Sequence, residues 1–180
     1  MRIRAFLFAA AAAIVLLGTG LLAAEVIRVR PLARDGVVLV SFELDEGFTE
    51  EVQAAIHSGL PITFAYDVEL RRGVPLWIDR SIASSTVAAS VRYDNLTRRH
   101  QLSRTLDGRT EPDATVTENE DVVKRWLTTF ERLPLFKTTN LEPNAEYYVR
   151  VRARTHSRNA MFLWPWAGGA SGLSKFTFIP

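Results

Sequence analysis

The chain contains no cysteine, so neither a disulfide framework nor a lipid-modified N-terminal cysteine is open to it. Lysine is scarce as well, three against 19 arginines, a bias that genomic composition produces as readily as a need for bidentate anion contacts. The three histidines, His57, His100 and His156, stand apart. None belongs to an HxxxH or HxH pair or has a carboxylate at metal-ligand spacing, so each reads as a surface histidine, and no metal or cofactor is expected. Ser81, Ser84, Ser85 and Ser90 lie outside any Gly-x-Ser-x-Gly elbow and read as a slim strand under a close neighbour. Gly168, Gly169 and Gly172 form a Gly-rich run without the lysine of a phosphate loop, better read as a bend before a last strand. Catalytic clusters are therefore missing, and the chain is not expected to be an enzyme.

Long apolar runs are missing too, except at the start. Arg2 and Arg4 precede an uncharged stretch over residues 5–24, whose first part has the length and composition of a signal-peptide core before Gly18, Thr19 and Gly20 break it. That pattern predicts export to the periplasm or cell envelope. Cutting after Ala24 puts bulky Leu22 where a small residue is preferred, and 20 uncharged residues suffice to span a bilayer. A cleaved signal peptide over residues 1–24 is favoured over an uncleaved inner-membrane anchor. The formal charge of +2 resides in this segment, because without Arg2 and Arg4 the 22 basic side chains only match the 20 acidic ones. A neutral, exported domain argues against nucleic acid as a partner.

The body of the chain alternates with period two. In residues 60–72, Ile62, Phe64, Tyr66, Val68 and Leu70 alternate with Thr63, Ala65, Asp67, Glu69 and Arg71, which predicts a long strand with one apolar and one wet face. Val87, Ala89, Val91 and Tyr93 continue the pattern, and Asp94-Asn95 turns the chain into a hairpin that runs back through Arg98 to Arg104. Upstream, residues 25–34 with Arg28, Arg30, Pro31 and Arg34 read as a linker, after which Val38, Val40, Phe42 and Leu44 mark a first strand. Thr49 caps a short helix with Glu50 and Glu51 in its first turn, Val52, Ala55 and Ile56 as its stripe, and Gly59 and Pro61 as stops. Thr117 to Glu120 has capping-box spacing and opens a second helix with Val122, Val123, Trp126, Leu127 and Phe130, Trp126 serving as core filler. The expected fold is mainly β, an antiparallel β-sandwich-like domain over residues 35–180, immunoglobulin/fibronectin III-like, with about six or seven strands and two short helices.

Two resemblances sharpen this. Leu141, Pro143, Tyr147, Val149, Val151 and Ala153 are spaced as in the tyrosine corner and following strand of a fibronectin type III domain, which implies that the Tyr147 hydroxyl bonds back to upstream backbone. The leader, the Leu60-Pro61-Ile62-Thr63-Phe64 strand, Trp77 with Asp79-Arg80, the hairpin at Tyr93-Asp94, the Trp126 helix and the Tyr147 strand together resemble the bacterial family catalogued as domain of unknown function 4390. That resemblance implies an exported protein with no assigned activity, often encoded beside a membrane sensor histidine kinase of the nitrogen-regulation type. It supplies no functional residues.

Two surfaces are candidates for partner binding. Arg150, Arg152 and Arg154 share one face of a strand, with Arg98 and Arg104 of the hairpin expected beside them. Asp67 and Glu69 could oppose them as a cross-strand charge ladder, and an anionic partner or lipid headgroups are the alternative. Phe162, Trp164 and Trp166 lie in a short apolar run with Pro165, expected either to pack on the sandwich end or to meet a membrane surface or a protein. The expected function is an exported envelope accessory or interaction module with an envelope or inner-membrane protein as partner. A carrier of an apolar, lipid-like ligand is the alternative.

Overall fold

The computed structural model describes residues 27–73, 80–111, 115–156 and 170–180. In chain order the elements are β1 (Ile27–Arg34), β2 (Val37–Leu44), α1 (Glu50–His57), β3 (Ile62–Arg72), β4 (Arg80–Asp94), β5 (Arg99–Leu106), β6 (Arg109–Thr110), β7 (Thr115–Thr117), α2 (Glu120–Thr128), β8 (Thr129–Lys137), a 3-10 turn (Thr138–Asn140), β9 (Glu146–His156) and β10 (Ser171–Thr177). They form two antiparallel sheets. The smaller is ordered β1-β2-β8; the larger is ordered β10-β9-β3-β4-β5-β6, with β7 also on β5.

Hydrophobic alternation sets the layers as expected. Ile62, Phe64, Tyr66, Val68 and Leu70 of β3 are all buried, and so are Val87, Ala89 and Val91 of β4 and Tyr147, Val149 and Val151 of β9. From the smaller sheet, Val38, Val40, Phe42 and Leu44 of β2 meet them. The centre is aromatic: Phe42, Tyr66 and Phe130 have ring centroids 4.6 to 5.2 Å apart. Each such buried ring contributes about 1.5–3 kcal/mol by leaving water. The Tyr66 hydroxyl would be costly to bury unpaired, and it donates to the Leu127 carbonyl at 2.7 Å. That bond ties the larger sheet to α2.

Local chemistry explains the turns and α1. Asp35 and Gly36 both have positive φ (52° and 78°), as do Asp107 and Gly108 (49° and 78°). This is the two-residue geometry that matches strand twist and favours Asp-Gly. α1 forms as its sequence predicts, with the Thr49 side chain accepting from the Val52 amide and Val52, Ala55 and Ile56 buried.

Three expectations are corrected. Residues 27–34 are not linker but β1, paired without a break from Ile27↔Leu44 to Arg34↔Val37. Arg28, Arg30 and Arg34 occupy its exposed phase, and Pro31 is tolerated because an edge strand needs no ladder bond on its open side. The N-cap of α2 is Asn119, whose side chain accepts from the Asp121 amide at 2.8 Å. Thr117 is instead spent pairing β7 with His100 of β5, and Asn caps at least as well as Thr. Finally, β8 follows α2 directly, which lifts the strands to ten among the described residues, above the expected six or seven. Its alternation is interrupted at Arg132, where φ is 49° and the ladder register shifts; the Arg132 amide donates to the Ser41 hydroxyl instead.

The two sheets come closest where β1 meets β10. A side chain on Gly172 would put its Cβ 1.9 Å from the Ile27 carbonyl oxygen, so only glycine allows this approach. The bulged β8 with Pro134 and the two-residue β6 present short or irregular edges, which discourages pairing with other chains.

Candidate functional site

The outward face of the larger sheet gathers the predicted arginines. Antiparallel register sets Glu69 opposite Arg150, Asp67 opposite Arg152 and Ala65 opposite Arg154. Arg150 donates to Glu69 at 2.7 Å, Arg71 lies 3.5 Å from the same carboxylate, and Arg154 pairs diagonally with Asp67. The hydrogen bond from Arg150 holds the Glu69 carboxyl below its ordinary value. The ladder is therefore built, but it does not balance, because four arginines share two acids. Arg152 is exposed and makes no ion pair among the described residues. A surplus positive charge thus stands on the outer face of the sheet, suited to meeting an anionic group from outside.

Arg98 and Arg104 do not join that face. Arg98 sits in the turn between β4 and β5 with φ of 55°. Arg104 lies opposite Ala89 on the inner face, the reverse of its expected side. It donates to the carbonyls of Trp126 and Thr129 at 3.0 and 2.9 Å, closing the C-terminal end of α2. Its guanidinium stacks 4.2 Å from the Trp126 ring centroid and 4.4 Å from that of Phe130. Burial lowers its pKa, yet an arginine remains charged. Trp126 is partly buried as core filler, its indole N–H donating to the Ser103 carbonyl at 3.3 Å.

His57, His100, Ser85 and Ser90 are likewise engaged in structure. His100 is not a surface residue: it is 3% exposed, on the inward phase of β5 beside Tyr93, with ring centroids 4.8 Å apart. Burial pushes its imidazole below its ordinary value. His57, at the exposed end of α1, contacts Glu120 of α2 at 3.0 Å. His156 ends β9, and its side chain lies outside the described residues. The buried Ser85 hydroxyl donates to Asp107 at 3.0 Å, and Ser90 is hydrogen-bonded to Thr63 at 2.8 Å. Tyr147 accepts the Glu142 amide at 2.8 Å, which pins the 3-10 turn segment across the end of the sandwich.

Phe162, Trp164 and Trp166 lie outside the described residues. A groove of about 440 Å³ is a feature that sequence reasoning missed. It runs between the end of α1 and the β4–β5 turn, lined by Ser58, Gly59, Arg92, Tyr93, Asp94, Asn95, Leu96 and Gln101. Among the described residues no helix is long and apolar enough to cross a membrane.

Fold and surfaces together define an antiparallel β-sandwich-like domain with two short helices, a filled aromatic core and a charged outer sheet. The chain belongs to the family described as Domain of unknown function (DUF4390), whose model matches residues 23–160. That match takes in β1, in keeping with its place in the domain. No curated protein and no solved structure matches the chain.

Proposed function

We propose that the chain is an exported, non-catalytic accessory module of the bacterial envelope that offers the outer face of its larger sheet to a membrane-bound protein. The observation that carries this reading is the unbalanced ladder, in which Arg71, Arg150, Arg152 and Arg154 share Asp67 and Glu69 and leave Arg152 exposed. An acidic patch on the partner would complete it. The family resemblance suggests a sensor kinase as that partner, and the uncharged stretch over residues 5–24 supports a shared membrane. Phe162, Trp164 and Trp166 supply a second, apolar contact. The rival reading, a carrier of an apolar ligand, needs room between the sheets; Phe42, Tyr66 and Phe130 fill that space, which favours the interaction module.

Photo-crosslinking in intact cells from a reactive amino acid at position 152 tests the proposal. An adduct with an inner-membrane protein that disappears with Trp164→Ala/Trp166→Ala or with Arg154→Glu is expected. Adducts with cytoplasmic proteins alone overturn it. N-terminal sequencing of the same exported protein decides between a cut and a retained leader.

A further inference from the structure

Resting on this envelope reading, we infer that the end of the sandwich carrying the 95–98 turn sits on an anionic bilayer, with Leu96 entering the lipid interface and Arg92 and Arg98 meeting headgroups. Registers Ile62↔Val91, Thr63↔His156, Ser171↔Arg152 and Asp94↔Arg99 bring the start of β3, the ends of β4 and β9 and the starts of β5 and β10 to one end of the larger sheet. Gly172 lies against the Ile27 carbonyl, so β1 begins at this end as well. Only Glu25 and Val26 separate β1 from residues 5–24, and two residues reach at most about 7 Å. A leader retained in the membrane would therefore hold this end of the domain, and no other, against the headgroups.

The turn is shaped for that contact. β4 runs three residues beyond its last pairing with β3, from Val91 to Asp94, and so projects by about 10 Å at strand rise. At its tip Leu96 is 95% exposed. It is held there by local bonds, since Asp94 Oδ1 accepts the amides of Leu96 and Thr97 at 2.9 and 3.4 Å. Arg92 and Arg98 flank it, both exposed and with no ion pair among the described residues. A single apolar tip between two cations, with the Asp94 carboxylate offsetting part of the charge on the Arg92 side, is too small for a protein interface, which buries about 800 Å² per partner. It does match interfacial insertion, in which apolar burial and attraction to anionic lipid add.

Because the chain has no cysteine, position can be read with single labels. Full-length Leu96→Cys and Ile179→Cys, each carrying the fluorophore NBD, are mixed with vesicles of phosphatidylcholine with or without phosphatidylglycerol. Ile179 is a stringent control, apolar and 72% exposed but beyond the other end of β10. The label at 96 is expected to shift to the blue and to be quenched by lipid-borne spin labels when phosphatidylglycerol is present. The label at 179 stays in water, and Arg92→Glu/Arg98→Glu removes most of the quenching at 96. A label at 96 that stays as wet as that at 179, or that responds equally to phosphatidylcholine alone, overturns the inference. Cell fractionation that finds the protein in the cytoplasm overturns the envelope reading instead.

Discussion

One arginine on the inner face of the larger sheet and three on its outer face do opposite work. Arg104 points inward, where Trp126 and Phe130 sandwich it and two carbonyls at the end of α2 accept its hydrogen bonds. Arg150, Arg152 and Arg154 point outward over Asp67 and Glu69, in contact with water. A guanidinium in the core is held by what would be left unsatisfied without it, whereas one on the surface trades equal hydration for each bond. The phase of the strand, and not the residue type, decides whether an arginine serves stability or recognition.

The comparison can be broken or sharpened by mutation, followed by urea denaturation. Phe130→Ala removes one wall of the Arg104 site together with the stacking on Phe42, and is expected to cost about 3–5 kcal/mol. Arg104→Ala leaves the Trp126 and Thr129 carbonyls without their donor and costs about 2–3 kcal/mol. On the inner face His100 adds a pH term. Its folded-state pKa is depressed, so the unfolded chain takes up the proton first as pH falls. Stability is then complete above about pH 6.5 and declines below it toward the folded-state value. His100→Gln flattens that decline, and an unaltered slope would assign it to other groups. On the outer face Arg150→Ala costs no more than about 1 kcal/mol despite its 2.7 Å contact with Glu69. Arg152→Ala, which loses no ion pair, stays within about 0.5 kcal/mol of the parent.

Much of this was legible in the sequence where one period ran unbroken. β3, β4, α1 and the inward phase of β9 follow from alternation and cap residues alone, and the outward ladder follows from placing Asp67 and Glu69 on the same wet face as the arginines. Legibility failed where polar residues occupy inward positions. His100 and Arg104 fall on the apolar phase of β5, so that strand lacks a clean apolar face in the sequence and both read there as surface residues. It failed again where geometry interrupts the period, at the Arg132 bulge of β8, and where arginines and a proline made β1 look like a connector. The exposed Leu96 carried no pattern at all, because a lone apolar residue in a turn acquires meaning only once the strands fix which end of the molecule it marks.

The most direct test is to unfold Arg104→Ala and Arg152→Ala side by side under identical conditions. The account predicts that Arg104→Ala loses at least about 2 kcal/mol while Arg152→Ala matches the parent chain. Equal losses in the two variants, or a larger loss at position 152, would contradict it.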